Sequence, residues 1–209
     1  MKNLLNQCVD QLTSATDRFP WEDKRAYADW LAQTYYYVSH TTRLLAASAA
    51  RFEYTDRGNA LHHRFATHMA EEKKHELLCI HDMKRVGAAI VDYPEHESTR
   101  AFYEPQYYKI EHQSPMALFG YMLPLEAIGP AAGIKMCDRI VAAHGEKSDS
   151  FVKVHAHEDL DHLDKALAML ETATESERRI IELNLRQTTY AYVAMLHDIR
   201  RHLDMPRAT

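Results

Sequence analysis

Apolar side chains recur at intervals of three and four residues along nearly all of this chain, the spacing of one face of an α-helix. No segment shows the sustained alternation of apolar and polar residues that is typical of strands. Helix breakers are scarce, with 6 glycines and 7 prolines among 209 residues. The pattern predicts an all-α fold of seven helices. Their predicted ranges are about 2–16, 20–52, 59–86, 98–112, 116–144, 148–172 and 175–203.

The fifth predicted helix is the least regular. It contains Pro124, Gly129, Pro130 and Gly133, so we expect a kink or local unwinding there. The rest of the chain shows no internal repeat, linker or low-complexity tract. The sequence therefore predicts a single helical domain over residues 1–209.

Composition narrows the class of protein. The formal net charge of -5 gives no electrostatic argument for nucleic-acid binding. No apolar run is expected to reach the roughly 18 to 20 residues of a membrane span, and the N-terminus lacks the apolar centre of a signal peptide. Cys8, Cys79 and Cys137 form no disulfide or metal-binding pattern. We expect a reduced, cytoplasmic protein that acts without a membrane.

Histidine is abundant, at 14 residues, and its placement is informative. The third predicted helix contains HMAEEKKH, and the sixth contains HAHEDLDH. Each segment carries a histidine, an acid four residues later and a second histidine three residues after that. At about 100° per residue these positions share one narrow arc of a helix. The two sets are His68, Glu72 and His75, and His155, Asp159 and His162.

Imidazole and carboxylate together suit iron, manganese or zinc. Glu72 and His75 form a Glu-x-x-His pair, a spacing that recurs in helical di-iron sites because both side chains can reach one metal. A pair of metals also needs a carboxylate from elsewhere in the chain. Glu126 is the best candidate, because it lies in the apolar stretch YMLPLEAIG, where an unpaired charge would be costly to bury.

The order of these residues resembles that of the haem-oxygenase-like di-iron oxidases and oxygenases. Their pattern is an early Glu and His on one helix, a lone Glu on a later helix, and His-x-x-x-Asp-x-x-His on a third. The resemblance implies a seven-helix haem-oxygenase-like bundle with two iron ions, O2 as co-substrate and an external electron donor. Family members decarboxylate or desaturate fatty or amino acids, or oxidise amine nitrogens. The implied metal ligands are Glu72, His75, Glu126, His155, Asp159 and His162.

This chain departs from the family pattern at one position. The early Glu usually precedes its His by seven residues, and His68 occupies that place here. We take Glu72 as the first ligand, with His68 beside it, while His68 itself and Glu71 remain alternatives. Manganese or a mixed pair of metals, and a homodimer, also stay open.

Several further residues have an ordinary interpretation beside a functional one. At least one tyrosine of the run 35–37 should face the core, where it could donate an electron or a proton. His40 and Arg43 could meet a substrate carboxylate, although a surface pair is the default. The remaining histidines that we interpret as surface or hydrogen-bonded core residues are His62, His63, His96, His157, His197 and His202.

Two other functions fit a helical chain of this kind. The predicted layout is also similar to that of thiaminase-type hydrolases, which use a cysteine and a glutamate without metal. Cys137 and Glu126 would then be the catalytic pair, although that chemistry gives no reason for two histidine sets. A non-catalytic metal- or ligand-binding protein is the third hypothesis.

Overall fold

The computed structural model describes the backbone of residues 1–204 and the side chains of residues 1–157 and 163–203. The described residues form α-helices and two short 3-10 turns, without a strand, so the predicted all-α class is confirmed. The helices are α1 (Lys2–Asp17), α2 (Lys24–Val38), α3 (Thr41–Ala49), α4 (Asp56–Glu71), α5 (Glu76–Arg85), α6 (Glu97–His112), α7 (Leu118–His144), α8 (Ser150–Leu170) and α9 (Glu175–Asp204), and the 3-10 turns are Ile90–Asp92 and Pro115–Ala117.

The predicted helix over 20–52 is two helices, α2 and α3. Asp23 caps the start of α2, because its Oδ1 accepts from the backbone N–H groups of the second and third residues after it. The chain then breaks at Ser39, whose Oγ donates to the Tyr35 carbonyl at 2.6 Å. The Ser39 N–H donates to the same carbonyl at 3.0 Å, but the next N–H, of His40, donates to the Tyr37 carbonyl, three residues back. Helix α2 therefore ends here, and α3 begins two residues after Ser39.

The predicted helix over 59–86 is also divided, into α4 and α5. Between them Lys74 has a φ of 74°, the left-handed region that non-glycine residues rarely adopt. The His75 N–H bonds to the Glu72 carbonyl at 3.3 Å, a three-residue spacing that replaces the regular helical bond. The break therefore falls inside the first histidine set.

Helix α7 is the central element and packs against α1, α8 and α9. It stays helical across Pro124 and Pro130, so local unwinding is not found, and the other predicted outcome, a kink, stays a prediction. Small residues let its neighbours approach closely. A Cβ at Gly133 would lie 2.7 Å from the Ala156 Cβ in α8, and one at Gly120 would lie 2.4 Å from a backbone oxygen of α9. This tight packing holds the helix in place despite its two prolines.

One segment of the described residues, Pro115–His144, is long and apolar enough to cross a membrane by length and composition. The expectation that no apolar run reaches this length is therefore wrong for this segment, because such a run tolerates single charges such as Glu126. Inside the bundle 67% of its apolar window is buried. The core helix of a soluble protein can be equally long, apolar and buried.

Candidate metal centre

The junction between α4 and α5 supplies three of the candidate ligands. His68 lies in the last turn of α4, Glu72 directly follows that helix, and His75 directly precedes α5. The two carboxylate oxygens of Glu72 face different rings. Glu72 Oε1 is 3.5 Å from His68 Nε2, and Glu72 Oε2 is 3.4 Å from His75 Nδ1. Glu72 thus stands between two imidazoles.

Helix α7 contributes Glu126 to the same place. Its Oε1 lies 3.1 Å from His68 Nε2, so one imidazole contacts two buried carboxylates. Glu126 is 8% exposed and Glu72 is 6% exposed. Burying two carboxylates together is costly unless positive charge or metal coordination accompanies them. The protonated ring of His68, which lies between the two carboxylates, supplies positive charge there.

Helix α8 contributes His155. Its Nδ1 lies 2.8 Å from the Phe151 carbonyl oxygen. A carbonyl only accepts, so Nδ1 carries the proton and Nε2 holds the lone pair that a metal requires. The His155 ring lies edge-on to His75, with 5.1 Å between ring centroids. Ligand atoms of Glu72, His75 and His155 all lie within 4.8 Å of one another.

The start of α8 is fixed by a buried acid from α5. Asp82 is fully buried, and its Oδ2 accepts from the Phe151 backbone N–H at 2.9 Å. Its Oδ1 lies 3.0 Å from His81 Nδ1. This cap satisfies one of the free N–H groups at the helix start and sets the position of the turn that carries His155.

The charges at the centre are strongly coupled. Burial alone would lower the pKa of His68, but the hydrogen bonds and charges of Glu126 and Glu72 outweigh it and raise that pKa to about 9. Burial would raise the pKa of Glu72, yet its hydrogen bonds to His68 and His75 hold the pKa well below its usual range. Burial lowers the pKa of His155, so its ring is neutral at pH 7. The centre thus offers a carboxylate and a neutral imidazole.

An apolar cavity of about 90 Å³ adjoins the centre, and both Glu126 and His155 line it. Thr41, at the break between α2 and α3, reaches the same cavity. The cavity lies directly beside two candidate ligands, so a bound molecule would meet them. Its apolar and aromatic lining residues, apart from glycines, are Trp30, Tyr37, Val38, Leu125, Ile128, Met136, Phe151, Val152 and Tyr192.

The structure gathers four of the six predicted ligands in one place, and their role in binding metal stays a prediction. The side chains of Asp159 and His162 lie outside the described residues. His68 joins the cluster, whereas the other alternative, Glu71, points away. Glu71 contacts Arg64 Nη1 at 3.4 Å and Lys165 Nζ at 3.8 Å. The four gathered ligands are Glu72, His75, Glu126 and His155.

Other predicted residues are accounted for separately. Tyr37 faces the core and the cavity, as expected of one tyrosine in its run. His40 does not line the cavity, because its Nδ1 lies 2.8 Å from Tyr107 Oη. Arg43 is exposed and donates to the Ser39 carbonyl. The proposed carboxylate-binding pair of His40 and Arg43 therefore does not face this site.

Sequence reasoning missed two features. The first is Phe151, whose carbonyl and N–H groups position His155; no side-chain pattern signals a backbone contact. The second is a cluster of Asp29, His96 and His202, whose ligand atoms also lie within 4.8 Å of one another. Its members are far apart in the sequence, so only tertiary structure brings them together.

Comparison with known proteins identifies the architecture. No protein-family model and no curated protein matches the sequence. A domain of unknown function from Shewanella denitrificans OS217, described as having a heme oxygenase-like fold, superposes with a TM-score of 0.85, covering 98% of this chain and 94% of that one at 17% identity. This chain has the haem-oxygenase-like fold.

A second solved structure is also similar. A TenA homolog from Pseudomonas syringae pv. tomato DC3000 superposes with a TM-score of 0.79, covering 96% of this chain and 92% of that one at 11% identity. At these identities the likeness concerns the fold alone. The predicted haem-oxygenase-like bundle is thus confirmed, and its chemistry has to be argued from the site.

Proposed function

We propose that this protein is a non-haem di-iron enzyme that uses O2 to oxidise a small organic substrate. The observation that carries the proposal is the position of Glu72. One of its oxygens faces His68 and Glu126, and the other faces His75, beside His155. A carboxylate that turns one oxygen to each of two sets of metal-binding side chains suits two cations held side by side.

The donor set fits iron. Carboxylate and imidazole in one site are typical of iron and manganese, and the described residues that gather here include no cysteine that would favour a soft metal. Glu72 and His75 form the Glu-x-x-His element of helical di-iron proteins. Asp159 and His162 remain proposed ligands of the second iron. When bound, two ferrous ions would supply the electrons and the Lewis acidity for O2 chemistry, with an external donor restoring them.

The residues of the chain would prepare this centre. The Phe151 carbonyl fixes the His155 tautomer, so the ring needs no rearrangement on binding. His68, with its raised pKa, holds a proton between Glu72 and Glu126 that a cation would displace. The apolar cavity would exclude water and orient the apolar body of a fatty acid, an amino acid or an amine.

Anaerobic reconstitution with Fe(II) tests the proposal. We expect about two irons per chain, as a carboxylate-bridged pair requires, and an optical change on adding O2. Glu126→Ala and His155→Ala should each lose iron and the optical change. His157→Ala is the matched control, because His157 is exposed two residues from His155 on the same helix, and it should bind iron normally.

Iron uptake that is as high in both Glu126→Ala and His155→Ala as in the wild type would overturn the proposal. Two bound irons without consumption of O2, with any reductant and candidate acid or amine, would instead favour a non-catalytic metal-binding protein. Circular dichroism of each variant separates loss of ligands from loss of fold.

The metal-free hydrolase is the second hypothesis, and it draws some support from the fold of the TenA homolog. Its predicted pair is separated here. Cys137 lies 11 residues after Glu126 on α7, about 16 Å along the helix axis, and lines a different groove. Burial and Asp149 raise the pKa of the Cys137 thiol to about 12, which disfavours the nucleophilic thiolate. Activity lost in Cys137→Ala, with iron binding intact, would favour the hydrolase.

A further inference from the structure

A second cluster of metal-binding side chains shares no residue with the centre described above. Asp29 comes from α2, His96 immediately precedes α6, and His202 lies near the end of α9. Asp29 and His96 are buried, and His202 is partly exposed. Three elements that are distant in sequence thus each point one ligand side chain at a single place.

The distances within the cluster match those around a small metal ion. His96 Nε2 lies 3.1 Å from His202 Nδ1 and 3.4 Å from Asp29 Oδ1. Ligands bound tetrahedrally at about 2.0–2.1 Å are separated from each other by about 3.3 Å. The three atoms can therefore become three corners of one coordination shell with small side-chain movements. The partial exposure of His202 leaves one side of the cluster open to solvent.

A buried glutamine positions two of the three ligands. Gln33 Nε2 donates to Asp29 Oδ1 at 2.8 Å and to the Pro94 carbonyl at 3.0 Å. Gln33 Oε1 accepts from the His96 backbone N–H at 3.0 Å and from Thr99 Oγ1 at 2.7 Å. Through Gln33, these contacts connect the Asp29 carboxylate of α2 to the backbone and side chain of the first turn of α6. Such supporting bonds are characteristic of built metal sites.

The protonation states also suit a metal. Burial, and after it the charge of His202, lowers the pKa of His96 to about 4, so this ring is neutral at pH 7. Neutral imidazole is the form that coordinates. Two imidazoles and one carboxylate form the protein ligand set of zinc sites that keep an open position, and of some ferrous sites.

We propose that Asp29, His96 and His202 form a second metal site, which binds one zinc ion and joins the start of α6 and the end of α9 to α2. The proposal is independent of the di-iron proposal, because no residue is common to both sites. Because the ion would bind the folded chain and not the unfolded one, its binding would also raise the free energy of unfolding.

Zinc titration of the full chain tests the site. Wild-type protein should bind one zinc more per chain than His202→Ala, and zinc should raise the melting temperature of the wild type by more than that of the variant. His197→Ala is the matched control, because His197 is an exposed histidine on the same helix, and it should bind zinc as the wild type does. Uptake of Fe(II) at the Glu72 centre should be unchanged in His202→Ala.

Two further measurements keep the test decisive. Asp29→Asn preserves the size of the side chain but removes its charge, so it should weaken zinc binding by at least tenfold. An anomalous difference map from zinc-soaked wild-type crystals should show a peak between His96 and His202, and this readout needs no variant. Equal zinc binding by wild type, His202→Ala and Asp29→Asn, or a map without that peak, would overturn the proposal and leave a hydrogen-bonded structural cluster.

Discussion

The contact between α7 and α8 can be tested with a single methyl group. A Cβ at Gly133 would lie 2.7 Å from the Ala156 Cβ and 3.3 Å from its Cα, closer than packed side chains come. Gly133→Ala must therefore push the two helices apart. Because Glu126 lies on α7 and His155 directly precedes Ala156 on α8, the same movement separates two candidate ligands.

The expected magnitudes follow from packing and helix propensity. Overpacking a tight contact costs about 1–3 kcal/mol, whereas replacing helical Gly by Ala recovers about 1 kcal/mol. Gly133→Ala should thus destabilise the protein by up to about 2 kcal/mol, and Ala156→Gly by about 1 kcal/mol. The double variant exchanges the two side chains and removes the clash, so its stability should return close to that of the wild type. The coupling energy is then about 1–3 kcal/mol.

Urea denaturation of the metal-free wild type, the two single variants and the double variant measures the free energy of unfolding of each. Iron counts on the same four proteins measure how the contact between the helices affects the candidate centre. Gly133→Ala should bind less iron than wild type, and Ala156→Gly in the same chain should restore it. Additive losses of stability, with the double variant weaker than either single variant, would refute the argument, because the two side chains would then not be in contact.

Two more predictions concern the centre and its support. Asp82→Ala leaves the Phe151 N–H without its buried acceptor and should cost about 1–3 kcal/mol in urea denaturation, with Asp82→Asn losing less because its amide oxygen still accepts. The raised pKa of His68, about 9 in the fold, makes its protonated form stabilising. That contribution is complete below about pH 6.5 and lost as the pH rises towards 9. Denaturation of metal-free protein across this range should show the loss, and His68→Gln should flatten the profile; an unchanged profile would contradict the assignment.

The helical class could be predicted from the sequence because apolar spacing reports which face of a helix is buried. The predicted helix ends at 16, 112 and 144 lie within one residue of those observed. The two breaks at Ser39 and Lys74 could not be predicted in the same way. Each depends on a local backbone arrangement, and neither position carries the glycine or proline that usually signals one.

The candidate centre was only partly predictable for a related reason. Spacing places His68, Glu72 and His75 on one face of a straight helix, but the helix ends between them and Glu72 turns one oxygen to each ring. Glu126 could be predicted because a carboxylate in an apolar stretch requires a partner. The cluster of Asp29, His96 and His202 has no spacing pattern in the sequence that would predict it, since its members meet only when α2 and α9 pack together.

The backbone at Lys74 bears on why the centre is built as it is. A left-handed lysine costs about 1–3 kcal/mol and persists only where surrounding contacts impose it. Here it lies between Glu72 and His75, beside two buried carboxylates that an apolar pair would replace at lower cost. Backbone strain and buried carboxylates therefore fall in the same short segment, and each is a cost to the metal-free chain. A bound cation would offset both at once, which supports the proposal that this segment is maintained for metal binding rather than for folding.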